Sequence, residues 1–325
     1  MALQVLLYSV DAPDQVLHGL KAIDLDSLSE RQLLWLDLCE PLGDEREQVA
    51  RLLGCDVSRL GDPDSSPQRP SLANYGSHFR VTATAVSLEH SQSPLGIHRL
   101  VLLAGPNYVV TVHEQAMGFL DQLRDREKGE SGIGALTSES FAASLLDRLL
   151  DTYFGAVEIL VRDIDRVEVT ILGKKVPPQF LRLLVASRRR VAELRRLLVA
   201  HRDIFYGMTR PDFMATEREG IRAHFEALDR RYERAEDEVE NVRELVVGSF
   251  ELLSTRAAQA MNETMRTLTF VTVLMGTLAL VAGVMGMNFQ MPFFETGMRG
   301  FLVVVGIMLL LSLVSTWVAI RRRWL

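Results

Sequence analysis

Carboxylates recur every three or four positions along one stretch without proline: Glu233, Asp237, Glu240 and Glu244, then, past Val247 and Gly248, Glu251. On a helix this spacing places them on one face, where side chains of one sign concentrate ions of the other. The plainer alternative is a solvated face, because Arg222, Arg230, Arg231, Arg234 and Arg243 are interspersed nearby. Toward the C-terminus the same row passes Ser254, Ala258, Met261, Met265, Leu268, Thr272, Gly276 and Ala279, with Asn262 beside it. The row thus turns from acidic to small and apolar.

Other chemistries find little support. The seven histidines (His18, His78, His90, His98, His113, His201 and His224) are scattered, and none lies in the uncharged C-terminal stretches, so the pattern does not favour the imidazole sites of zinc. Cys39 and Cys55 have no CxxC spacing, which argues against a disulfide framework or zinc knuckle and suits a reducing compartment. There is no GxGxxG, no GxxxxGK[ST] around Gly173, Lys174 and Lys175, and no HExxH, so the chain does not read as an enzyme. A net charge of −6 and no basic stripe with interleaved aromatics exclude nucleic acid as a partner.

The elements that carry these rows follow from composition. From Thr267 to Phe294, and again from Gly300 to Ile320, no residue is charged. About 20 apolar residues cross the hydrocarbon core, so two transmembrane helices are expected, one at about 267–287 and one at 300–320, joined by an external loop over 289–299. Arg256 and Arg266 flank the first span, and Arg321, Arg322 and Arg323 begin a basic tail at 321–325. The loop carries one basic residue, Arg299. Basic flanks stay inside, so both termini are expected in the cytoplasm of an inner or plasma membrane.

Before the membrane, residues 1–135 alternate strand patterns (LQVLLYSV, LLWLDL, FRVTATAVSL, HRLVLLAG, NYVVTVHE) with an amphipathic helical pattern at 43–54. They predict a cytoplasmic α/β domain with a mostly antiparallel or mixed sheet. Residues 136–213 read as a helical hairpin broken at Gly173 and Pro177–Pro178, its second helix reaching Ile204 and Phe205. A last helix, 214–288, runs from stalk into membrane, about 100 Å at 1.5 Å per residue.

The first span ends in GVMGMNFQMPF, follows a charged helix bearing AMNETMRTLTF, and precedes a second span closing on RRRWL. With LLWLDLCEP and NYVVTVHE in the N-terminal domain, the chain resembles the CorA family of divalent-cation channels over essentially its whole length. The resemblance implies a funnel-shaped homopentamer whose stalk helix continues as the pore lining. It implies passive, gated transport of magnesium, with cobalt or nickel as further cargo; zinc transport within the same family and a non-conducting scaffold or sensor are the alternatives. Gly286, Met287 and Asn288 then form the pore entrance, where an amide oxygen suits an ion that keeps its water. Met261, Asn262, Met265, Leu268, Thr272, Gly276 and Ala279 become pore-lining, with Leu268 and Met265 as an apolar gate. Glu251 matches a family position tied to sensing internal divalent ions; with Glu244, Glu240 and Asp237 it makes a candidate regulatory metal site. Two departures stand out: no acid directly follows Met291-Pro292, and Gly276-Thr277 replaces a mid-helix proline.

Overall fold

The computed structural model describes residues 3–17, 19–20, 23–41, 43–61, 69–90, 92–126, 132–171, 173, 178–213, 219–287 and 297–322. The chain divides into two compact units, Met1–Ser249 and Phe250–Leu325.

In the first unit, β1 (Leu3–Ser9), β2 (Gln15–Leu17), β3 (Gln32–Cys39), β4 (Ser71–Asn74), β5 (Phe79–Ser87), β6 (Gly96–Gly105) and β7 (Tyr108–His113) form one sheet. Its order is β2-β1-β3-β7-β6-β5-β4. Neighbours are antiparallel except β3 and β7, which run parallel with Leu34 opposite Tyr108 and Cys39 opposite His113. The mixed sheet is the one the strand patterns imply. β2 and β4, three and four residues long, escape sequence reading because such short edges carry no full alternation.

Both faces of β3 are covered, which is why QLLWLDLC is apolar without alternating. On one face Val49 and Ala50 of α1 (Gly43–Leu53) and the nearby Leu60 close over Leu34, Leu36, Leu38, Val110 and Val112. On the other lies α3 (Ser138–Ile171), whose Phe141 meets Trp35 edge-on at 5.4 Å and Tyr8 at 6.2 Å. The Thr137 hydroxyl starts α3 by accepting the Ser140 N–H at 3.2 Å, an N-cap satisfying a donor the helix leaves open. The β6–β7 turn needs a left-handed residue, and Asn107 takes it at φ 56°, a conformation asparagine tolerates. After β7 comes α2 (Gly118–Arg126).

The second helix of the hairpin does not run to Phe205 as expected. It stops as α4 (Pro178–Val199), and α5 (Arg202–Thr209) begins after a break at Ala200 and His201. The buried His201 ring causes the break: its Nδ1–H donates to the Leu197 carbonyl at 2.8 Å, and its Nε2 accepts the Thr84 N–H of β5, also at 2.8 Å. Tyr153 of α3 closes the same corner by donating to the Thr84 carbonyl at 2.9 Å.

The last two helices are α6 (Glu219–Met285), 67 residues without interruption, and α7 (Met298–Arg321). Gly248 does not break α6. In the second unit, the later part of α6 and α7 are long and apolar enough to cross a membrane. Arg321 at the end of α7 lies over the Trp317 ring at 5.2 Å, the pairing of basic and aromatic groups that suits an interface.

Candidate functional site

Within the first unit α6 buries Ile221, Phe225, Leu228, Tyr232, Ala235, Val239, Val242 and Val246. Their spacing of three or four makes one seam, and full burial of each large side chain is worth roughly 1.5–3 kcal/mol. The seam fixes the rotation of the helix, and the carboxylate row falls outside it. Glu233, Asp237 and Glu244 are exposed, whereas Glu240 is half-buried and ion-paired with Arg195 of α4 at 3.1 Å and with Arg243. Among the described residues Asp237, Glu244 and Glu251 form no ion pair. The candidates the sequence treats alike are therefore unequal, with Glu240 already partly neutralised. Burial, with the charges of Glu233 and Glu236 added and that of Arg230 opposing, holds the Asp229 carboxyl above its ordinary range. Among the described residues no three His, Cys, Asp or Glu side chains are grouped to hold a metal within one chain.

In the second unit the row continues with Glu251, Met261, Asn262, Met265, Leu268, Thr272, Gly276 and Ala279, all exposed. Met261, Met265 and Leu268 are exposed to 66%, 56% and 65%, an apolar surface that water alone does not favour. Thr264, Thr267, Thr272 and Thr277 each donate the hydroxyl proton to the carbonyl four residues back, at 2.8–3.1 Å. Such bonds use the donor and leave lone pairs outward. Toward any neighbour these threonines act as acceptors, the polarity a cation needs. Sequence reasoning found Thr272 and missed this pattern, whose signal is the five threonines Thr264, Thr267, Thr269, Thr272 and Thr277 in a stretch with few other polar groups.

At the far end, α6 stops at Met285; the Gly286 N–H bonds the Ala282 carbonyl at 2.9 Å and the Met287 N–H bonds Val284 at 3.3 Å. Met287 is exposed. Asn288, most of the 289–299 loop, and the Arg323 and Trp324 of the tail lie outside the described residues. Gly286 lines an apolar cavity of about 360 Å³ with Ala282 and Met285 of α6 and Gly300, Phe301 and Val304 of α7.

A buried polar network in the sheet went unread. Asp37, fully buried on β3, accepts from the Thr111 hydroxyl at 2.5 Å and from Arg124 of α2 at 2.8 Å, and meets His113 Nε2 at 3.0 Å. Trp35 Nε1–H donates to Thr111 at 3.0 Å. Burial pulls the His113 pKa down, but the Asp37 hydrogen bond and charge outweigh it and leave the ring above its ordinary value. A lone aspartate inside LLWLDL was the available signal, since a buried carboxylate demands partners. The network ties β3, β7 and α2 together and touches none of the α6 row.

The CorA-like Mg2+ transporter protein family matches residues 30–322. The cobalt/magnesium transport protein CorA of Thermotoga maritima is 23% identical over 282 residues, covering 86% of this chain and 79% of that one. The zinc transport protein ZntB of Yersinia pseudotuberculosis is 25% identical over 311 residues, 94% of this chain and 93% of its own. The complete structure of the CorA magnesium transporter from Methanocaldococcus jannaschii superposes with a TM-score of 0.75 at 17% identity, over 100% of this chain and 99% of the other.

Proposed function

The chain belongs to the CorA family, and from that premise we propose that it is a divalent-cation channel of the inner or plasma membrane, a homopentamer with both termini cytoplasmic. Magnesium is its proposed cargo. The observation that carries this reading is the unpacked face of α6, which presents carboxylates at one end and an uncharged row of small, apolar and acceptor-only residues at the other. One chain cannot enclose a path. Several copies around an axis turn each residue of that face into a ring.

In that assembly the rings divide the work. Asp237, Glu244 and Glu251 draw cations to the cytoplasmic mouth. Met261, Met265 and Leu268 form a constriction that blocks ions by dewetting when narrow, with Asn262 beside it. Thr272, Gly276 and Ala279 leave room and lone pairs for an ion with its water. Gly286, Met287 and Asn288 accept the hydrated ion at the outer entrance, because magnesium sheds water reluctantly. Since no single chain groups three ligating side chains among the described residues, a regulatory ion at Glu251 takes ligands from more than one copy or binds through water.

Zinc transport is the second reading, favoured by the similarity to ZntB. Flux into proteoliposomes, with magnesium, cobalt and zinc at equal driving force, tests both. The expectation is magnesium flux abolished or strongly reduced by Asn288→Ala. Zinc flux without magnesium flux would replace the first reading with the second, and no flux of any ion would leave a scaffold or sensor.

A further inference from the structure

The transport reading absorbs the carboxylates of α6 but not its arginines. Between α3 and the first turns of α6, inside the first unit, lies an open cleft of about 570 Å³. Four arginines line it, Arg148 of α3 and Arg230, Arg231 and Arg234 of α6, against one carboxylate, Asp147. The remaining polar wall is Ser140, Ser144 and His224, with the Ser140 hydroxyl 2.8 Å from His224 Nδ1.

The four arginines are not equally occupied. Arg231 is held by Asp147 at 2.9 Å and by Asp151, and its guanidinium lies over the Phe154 ring at 5.5 Å. Arg148 reaches Asp151 only at 4.0 Å. Arg230 and Arg234 are exposed and make no ion pair among the described residues. They stand four positions apart on one helix, a like-charge spacing that is unfavourable when nothing lies between. Arg231, between them in sequence, is already neutralised by Asp147 and Asp151, so the open positive charge is that of Arg230 and Arg234. The arrangement has cationic forks, a volume suited to a small polyanion, and hydroxyls at the wall. Guanidinium groups pair phosphate oxygens bidentately, which ammonium groups do not.

We propose that this cleft is an anion site for a phosphate-bearing polyanion of the pyrophosphate or nucleoside polyphosphate class, read by Arg230 and Arg234 with Arg148 as the third contact. The arginines supply the positive charge that a divalent cation supplies to such an anion in solution, so the free anion binds and its magnesium complex binds less well. A cell short of free magnesium holds more of the uncomplexed anion. The ligand therefore carries information about the ion that the channel is proposed to move. Only this last link rests on the transport reading; the binding itself does not.

The test is calorimetric titration of the full-length protein, in nanodiscs of phosphatidylcholine, with pyrophosphate in EDTA. Saturable binding is expected, weakened about tenfold or more in Arg230→Gln/Arg234→Gln, and weakened again when magnesium is added in excess over pyrophosphate. Arg230→Lys/Arg234→Lys keeps the charge and loses the fork; it is expected to fall between wild type and the glutamine variant. Circular dichroism of the variants checks that both fold, which the exposure of both arginines favours. Repeating the titration with phosphatidylglycerol nanodiscs separates the sources of phosphate: unchanged pyrophosphate affinity assigns the site to a soluble anion, and loss of it by competition assigns it to a lipid headgroup and overturns the soluble ligand. No saturable binding to wild type, or equal affinity in the glutamine variant, overturns the proposal even if the protein transports magnesium. Binding without transport would leave it standing and remove the transport reading instead.

Discussion

His201 sits with its ring closed off from water between β5 and the break after α4, accepting one hydrogen bond and donating another. Burial pushes its pKa down to about 4, against the opposing pull of the Leu197 and Leu198 carbonyls. The unfolded chain, with an ordinary histidine near 6.5, binds this proton more readily than the folded one. The stability it contributes is therefore complete above pH 6.5 and is lost as pH falls toward 4, on the order of 3 kcal/mol over that window. Carboxylates titrate nearby in pH, so the informative quantity is a difference. Gln in place of His201 retains an acceptor for the Thr84 N–H and has no proton to take up. The melting temperature of His201→Gln is expected to fall less than that of wild type between pH 7 and pH 4.5, and parallel losses would assign the acid sensitivity to other groups.

Along α6, the same helix is a packing element before Ser249 and presents an unpacked apolar row after it. Serine at Leu268 or Met265 keeps the helix and places a hydroxyl where the proposed constriction must stay dry. Flux through Leu268→Ser at high internal magnesium is expected to exceed wild type several-fold, and flux equal to wild type would move the gate elsewhere. The length of α6 was legible because Ile221–Val247 holds no glycine or proline and the chain carries no charge from Thr267 to Phe294; both signals are local. The run Gly286-Met287-Asn288, from which the entrance is proposed, is a local signal too. What stayed hidden depends on partners far off in the chain. The break at His201 is set by Thr84, 117 residues away, and Asp37 is satisfied by Thr111 and Arg124, 74 and 87 residues away. The unequal state of Glu240 follows from Arg195 on another helix. Periodicity gives the face a residue occupies, not which neighbour has already met it.

At the scale of the whole assembly, the proposed regulation is a balance between repulsion and bridging. Rings of Glu251 repel when bare, and a divalent ion shared between copies draws them together, which biases a closed state over an open one. Glu251→Gln removes the repulsion and the ligand at once. Protection of the stalk from protease across a magnesium titration is expected to depend less steeply on the ion in this variant, with a shifted midpoint; identical midpoints would leave Glu251 outside the sensor. The sheet of the first unit bears on the same molecule at an earlier moment. Its central parallel pair joins β3 to β7, so the middle of the sheet cannot close until His113 has been made. Thr267, where the uncharged stretch opens, follows His113 by 154 residues (267 minus 113), on the order of 10–30 s of translation at ~5–20 residues per second. Biosynthesis thus gives the soluble unit a head start, and the ribosome delivers the first greasy segment to the insertion machinery with its sheet already free to have closed.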